Sequence, residues 1–391
     1  MAPRRGKKKL DVKQAEESFS AVAIDPRLPN AYDHLRQADA TCLDQEHGKS
    51  WSMFRGDCVE VVKGIPDDSV HFSIYSPPFA SLYVYSNSER DMGNCKSYDE
   101  FGQHYSYLIS DLHRVTKPGR LTAVHCMNLP TTKTHHGHIG IQDFRGDIIR
   151  EHRKAGWIFH AETVIWKDPV TAMQRTKALG LLHKQVVKDS CMSRMGIPDT
   201  VLFFRKDGVN PEPVEGEFNR WIGDDSFISA GQDQYAKDVE DYDRYLSLKT
   251  DDERNQWIDC GGRTEPPSRS KSEAKGGTKL SIDVWQRFAS PIWMDINATR
   301  TLQYMQARHE DDERHICPLQ LDVIERGMEL YSNPGDVVLS PFGGIGSEGY
   351  VSVLNGRKFI GVELKDTYWQ SACRNLRIAE SEAVNKSRTL F

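Results

Sequence analysis

The run Asp336-Val337-Val338-Leu339-Ser340-Pro341-Phe342-Gly343-Gly344-Ile345-Gly346-Ser347-Glu348-Gly349, followed by Lys358-Phe359-Ile360-Gly361-Val362-Glu363, decides the fold. Asp336–Leu339 is short, rich in β-branched residues and bounded by breakers, and reads as a buried strand. A glycine-rich turn follows at 341–346, then helical spacing over residues 347–354. Lys358–Val362 reads as a second strand, ending at Glu363. A strand, turn, helix and strand in that order predict a parallel sheet and an α/β architecture. Glycines let the backbone approach a ligand closely, and the helix start offers free N–H groups. An acid at the end of the second strand can accept hydrogen bonds from ribose hydroxyls. The dinucleotide spacing G-x-G-x-x-G is not matched, which argues against a nucleotide-dependent oxidoreductase. The alternative, a tight β-α connection without ligand, is the lesser reading.

Working towards the N-terminus, Asn333-Pro334-Gly335 ends a helix predicted over Leu319–Tyr331. Far upstream, Val70-His71-Phe72-Ser73-Ile74-Tyr75 reads as a strand that stops abruptly at Ser76-Pro77-Pro78-Phe79. Two prolines stiffen that loop and remove two N–H donors. What remains is a display of carbonyls plus the Ser76 hydroxyl, able to accept hydrogens from an amine. Phe79 can stack on a flat ring. In isolation this too could be a plain proline turn. Between the two motifs, helical spacing covers residues 97–115 and is stopped by Lys117-Pro118-Gly119. Leu121–Cys126, Glu162–Trp166 and Val201–Phe204 read as strands, and Ile148–Ala155 as a helix. Cys126 reads as core rather than nucleophile. Residues 207–275 are acidic, broken by Pro and Gly, and end in a linker-like run.

Of the 391 residues, 38% are apolar and 27% charged, as in a globular soluble protein, with no run long enough to span a bilayer. Residues 1–20 read as a basic, mobile tail. The 8 cysteines include no C-x-x-C pair, so neither a zinc site nor any other metal centre is expected, and a reducing cytoplasm is. His135, His136 and His138 read as a loop near a polyanion rather than a metal site. The net charge of -5 is unevenly spread. Thr131–Met195 carries eleven Lys/Arg against six Asp/Glu, whereas Asp224–Cys260 carries four against eleven. Arg175, Lys177, Lys184, Lys188 and Arg194 are therefore candidate phosphate or base contacts, although a solvated basic face is the plainer alternative.

Together, Ser76–Phe79 first and Phe342–Gly346 last strongly resemble the β-group amino-methyltransferases of DNA, in which that motif order holds. Other segments are similar to the family's: Gly56-Asp57, Asp67-Asp68-Ser69-Val70, Arg114–Gly119, Ile165-Trp166-Lys167, Cys317-Pro318-Leu319-Gln320 and Asn333–Val338. The resemblance covers roughly residues 50–205 and 310–377. It implies a Rossmann-like methyltransferase fold with a mostly parallel twisted sheet and an inserted target-recognition region. The parts would be an N-terminal arm (1–45), a catalytic half (46–170), a recognition region (171–310, with a flexible loop near 262–280) and a cofactor-binding half (311–391). The implied cofactor is S-adenosylmethionine. The implied cofactor residues are Asp57, Cys317, Leu319, Ser340, Phe342, Gly343, Gly344, Gly346 and Glu363, and Ser76, Pro77, Pro78 and Phe79 are the implied catalytic set. Asp57 is also placed to be a helix N-cap, a role that can coexist with cofactor contact. Two departures stand out: Ser340 replaces the usual Asp before Pro-Phe, and Cys317 stands where Lys is common.

The implied reaction is methylation of an exocyclic amine of a flipped base in double-stranded DNA by a homodimer. Ser-Pro-Pro-aromatic is linked in this family with cytosine N4. The wider pattern, including Arg314–Gln320, resembles solitary methylases associated more with adenine. The expectation is adenine N6, with cytosine N4 as the alternative. An RNA methyltransferase and a non-catalytic DNA-binding protein are the rival readings.

Overall fold

The computed structural model describes residues 22–23, 41–79, 90–95, 98–131, 137–176, 178–212, 240–265, 287–303 and 318–388. The basic tail, His135, His136, Lys177, Cys317, the 314–316 segment and most of the 262–280 loop fall outside them. The chain divides into two compact units: Met1–Glu162, Asp199–Pro211 and Arg300–Phe391 form one, Thr163–Pro198 and Glu212–Thr299 the other. Residues 199–211, inside the span expected to recognise the target, thus belong to the first unit.

The first unit is built on strands β1 (Asp44–His47), β2 (Trp51–Arg55), β3 (Val70–Tyr75), β4 (Thr116–Met127), β6 (Asp199–Arg205), β8 (Val337–Ser340) and β9 (Lys358–Glu363). The two intervening strands are β5 (Ile158–Ile165), which leaves this unit after Glu162, and β7 (Ile292–Trp293). Within the unit the lateral order is β6-β4-β3-β8-β9-β2-β1. From β4 through β2 every neighbouring pair is parallel, whereas β6 and β1 run antiparallel to their neighbours. A mostly parallel α/β sheet is what the 336–363 run predicts. Its central strands are apolar on both faces, since helices cover both: Phe72, Ile74, Leu339 and Ile360 are all buried.

Helices α1 (Cys58–Lys63), α2 (Tyr98–Val115), α3 (Phe144–Lys154), α4 (Leu321–Tyr331), α5 (Ser347–Leu354) and α6 (Asp366–Arg388) complete this unit. Helix α2 buries Phe101, Tyr105, Leu108, Ile109, Leu112 and Val115, one face at helical spacing. Helix α3 starts four residues earlier than the spacing predicts, because Asp143 caps it by accepting from Gly146 N at 3.0 Å. Strand β4 begins at Thr116 rather than Leu121. The Lys-Pro-Gly stop ends the helix, but the chain enters the sheet at once, with Gly119 at φ 75 absorbing the irregularity.

Polar ties hold the sheet together beneath the site. Arg120, almost fully buried on β4, lies 3.3 Å from Asp336, which also sits 3.5 Å from His71 Nε2 on β3. Removing one partner of such a buried pair typically costs about 3–5 kcal/mol, because the other is left uncompensated. The hydroxyls of Tyr75 and Tyr105 meet at 3.0 Å, while His152 stacks on Phe204 at 3.9 Å between centroids. Burial pushes the His152 imidazole down to about 3, so it is neutral and acts as packing.

In the second unit Ile292–Trp293 pairs in parallel with Val164–Ile165, and Thr163 donates to Ser290 O at 3.0 Å. A helix at Asp251–Asp259 opens with a capping box between Thr250 and Glu253. Among the described residues of the chain, no helix is long and apolar enough to cross a membrane.

Candidate active site

Open α/β sheets bind ligands outside the carboxyl ends of their strands, and the motif residues gather at that edge. Strands β3 and β8 are parallel neighbours, with Phe72 opposite Val338 and Ser73 opposite Leu339. Ser76 follows the end of β3 and Phe342 lies just beyond the end of β8, and the Tyr75 and Phe342 rings lie 5.7 Å apart. Glu363 closes β9, the next strand, and Gly56-Asp57 follows β2, the one after.

The turn after β8 is shaped by its glycines. Gly346 has φ 87, and a Cβ there would sit 3.1 Å from Ala372 in α6; Gly344 has φ 51, and a Cβ there would meet no protein atom within 4 Å. We predict that Gly346→Ala destabilises the protein by about 2–4 kcal/mol through strain and crowding. Gly344→Ala should cost about 1 kcal/mol from backbone strain alone. Urea unfolding of the two variants checks this, and equal losses would contradict it.

Glu363 is the electrostatic centre of the turn. Its Oε2 accepts from Gly344 N at 2.8 Å and its Oε1 from Lys365 N at 2.9 Å. Burial nevertheless dominates and pushes the carboxyl up to about 7. Each carboxylate oxygen can take a further donor. Two hydroxyls beneath the turn, Ser340 Oγ and Ser347 Oγ, are buried without a hydrogen-bond partner among the described residues. Ser340 is fully enclosed at the end of β8. Leu319 is buried just ahead of α4. A nucleoside with ribose hydroxyls fits this set, with Glu363 as acceptor and Gly344 open above it.

Asp57 is the N-cap of α1, accepting from Val59 N at 2.9 Å, with Arg90 3.8 Å from its other oxygen. Burial outweighs both and raises its carboxyl. The cap leaves one oxygen able to take a ligand donor.

In the Ser-Pro-Pro-Phe loop Pro77 is buried, while Ser76, Pro78 and Phe79 are half-buried. Phe79 packs edge-on against Phe144 at 6.0 Å. Ser76 Oγ lies 3.2 Å from the carbonyl oxygen of His125 and 3.3 Å from its Nδ1. His125 Nε2 in turn lies 3.4 Å from Asp199 Oδ2. Neither residue is singled out by the sequence. They meet only through the antiparallel register of β4 and β6, which sets Asp199 against Met127 and Val201 against His125.

Lys184 and Lys188 are exposed in the second unit, as are Val187 and Met195. Arg194 is half-buried and donates to Met195 O at 3.3 Å. Arg175 lies on a helix at Pro169–Thr176. These cations are in the second unit and the motif residues in the first.

A family model described as DNA methylase matches residues 70–374. The DNA adenine methyltransferase YhdJ of Escherichia coli K12 is 37% identical over 110 residues, which is 27% of this chain and 37% of that protein. Type II methyltransferase M.BamHI of Bacillus amyloliquefaciens is 22% identical over 312 residues, 80% of this chain and 54% of that protein. This chain thus spans about a third to a half of the length of these relatives. Among solved structures, TTHA0409 of Thermus thermophilus, described as a DNA modification methylase and complexed with S-adenosyl-L-methionine, covers 83% of this chain with 94% of its own. Its TM-score is 0.50 at 18% identity, a likeness that shows the shared methyltransferase-type Rossmann-like fold.

Proposed function

Because the chain belongs to the DNA methylase family, we propose that it transfers a methyl group from S-adenosylmethionine to an exocyclic amine of a base in double-stranded DNA. The observation that supports this is the adjacency of β3 and β8, the strands that lead into the Ser-Pro-Pro-Phe loop and the glycine-rich turn.

Bound at that turn, S-adenosylmethionine supplies an electrophilic methyl on a sulfonium. Glu363 would hold the ribose hydroxyls, and Asp57 would take a donor from the adenine. Phe342, Gly343, Gly344 and Gly346 would line the pocket, with Ser340, Leu319 and Cys317 supporting it. The target base must leave the duplex, at a cost of a few kcal/mol. Phe79 would stack on it, while Ser76 Oγ and the Pro77 carbonyl accept the two amine hydrogens. An amine lone pair is delocalised into the ring, so acceptors that favour a pyramidal nitrogen bind the transition state more tightly than the ground state. No covalent intermediate is required. Burial holds Cys126, on β4, far above the thiolate range, as suits a core residue.

The second unit would recognise the target, with Lys184, Lys188, Arg194, Arg175 and Lys177 neutralising phosphates. The base is adenine N6 in this reading, in line with the name of the Escherichia coli relative. The chain would work in the reducing cytoplasm, which suits free thiols at every described cysteine. It would also pair as a homodimer. Light scattering at micromolar concentration should give about twice the 44.5 kDa chain mass, and a monomer would remove that part of the proposal.

Labelled methyl transfer from S-adenosylmethionine, run side by side on duplex DNA, RNA and protein, tests the function. Label should enter DNA; label in RNA or protein alone would overturn it.

A further inference from the structure

Ser76 can serve a target amine only as an acceptor, and a hydroxyl can face a substrate either way round. Its surroundings bear on which way it faces. Among the described residues, the polar contacts of Ser76 Oγ are to His125: the carbonyl oxygen at 3.2 Å and Nδ1 at 3.3 Å. The far side of the same imidazole faces a carboxylate, Asp199 Oδ2, 3.4 Å from Nε2. That is an ion-pair distance without the alignment of a formed hydrogen bond. His125 is 7% exposed and Asp199 3%, so water competes little for either.

A neutral imidazole has one donor nitrogen and one acceptor. A buried carboxylate at Nε2 favours the tautomer with hydrogen on Nε2, which leaves Nδ1 as an acceptor. The Ser76 hydrogen then has two acceptors on His125 and none is needed elsewhere. Its lone pairs are left for the substrate side. With the opposite tautomer, Nδ1–H would donate to Ser76 Oγ and occupy one of its lone pairs while the hydroxyl hydrogen stays on the His125 carbonyl, so Ser76 would have less acceptor capacity for the amine.

We propose that Asp199 and His125 are positioning residues that fix the Ser76 hydroxyl as a hydrogen-bond acceptor for the target amine. Asp199 thereby lends a neutral serine the acceptor character that a carboxylate in that place would have by itself. The pair acts through Ser76, so this inference rests on the proposed methyl transfer.

Two measurements test it. Nitrogen-15 NMR of histidine-labelled protein reads the tautomer directly: the wild type should carry the His125 hydrogen on Nε2, and Asp199→Asn should move it to Nδ1. Single-turnover rates at saturating cofactor and DNA give a double-mutant cycle. Asp199→Asn should slow transfer up to roughly tenfold, the worth of one neutral hydrogen bond from the amine to Ser76, with KM for DNA unchanged. In a Ser76→Ala background the same change should cost less than about twofold. A wild-type Nδ1–H tautomer would overturn the proposal even if the variants fail to fold, and so would an equal loss in both backgrounds. A wild type that methylates no DNA would overturn the underlying reading and this inference with it.

Discussion

Ser76→Ala is expected to lower kcat for methyl transfer by about 10²–10³, the usual effect of removing one group aimed at a transition state. Cofactor affinity should change less than about twofold, because the hydroxyl's contacts among the described residues are to His125 and not to the glycine-rich turn proposed to hold the cofactor. The change removes a small hydroxyl from a half-buried loop whose shape is set by Pro77 and Pro78, so folding should survive. Fluorescence or calorimetric titration with S-adenosylmethionine, beside single-turnover transfer, separates the two quantities. Equal loss of binding and rate would place Ser76 in the wrong role.

The second large effect concerns Glu363 and pH. Burial raises its carboxyl to about 7, above the usual carboxylate range. An acid raised on folding favours the protonated native state. Its contribution to stability is therefore fully present below the unfolded value of about 4.3 and is lost as pH rises through about 7. Ribose hydroxyls donate to the ionised form, so cofactor binding should expel a proton below that pH. Affinity should be flat above about pH 8 and weaken by up to about tenfold per pH unit below about 7. Glu348, pushed up to about 8 by burial in the adjoining helix, and Asp91 are the acids that face it. Glu363→Gln should abolish that slope and weaken binding about 100-fold at pH 8, since hydrogen bonds to a charged acceptor contribute about 1.5–3 kcal/mol. Both Glu363 oxygens already accept backbone N–H groups, so an amide must set N–H against N–H at one of them. Calorimetric titration across pH 5.5–8.5 reads both effects; an unchanged slope in Glu363→Gln would exclude this carboxyl as its source.

Much of this site was legible because its motifs are local. Val70–Tyr75 is a strand as its composition predicts, and the 336–363 run forms the predicted β-α-β unit. Each depends on residues close in sequence: β-branched runs, prolines that stop them and glycines that turn them. Strand β2, Trp51-Ser52-Met53-Phe54-Arg55, lacks both alternation and β-branched residues, so its place next to β9 is not legible. Its neighbour β1 is polar throughout, as suits an edge strand that must discourage further pairing. The closing helix α6 does carry a signal, with Trp369, Ala372, Cys373, Leu376 and Ala379 buried at helical spacing, but small residues mute it. The His125–Asp199 contact is illegible in principle, since one residue of slip between β4 and β6 would turn the two sides apart.

The central claim is that the acceptor is a base amine. The most direct measurement is to incubate the purified protein with unmethylated duplex DNA and S-adenosylmethionine carrying a trideuterated methyl group. The DNA is then digested to nucleosides, which are separated by mass spectrometry. The account predicts deuterated N6-methyl-2′-deoxyadenosine, and deuterated N4-methyl-2′-deoxycytidine would correct the base while leaving the amine chemistry intact. Label on carbon 5 of cytosine, or no label in DNA, would contradict it.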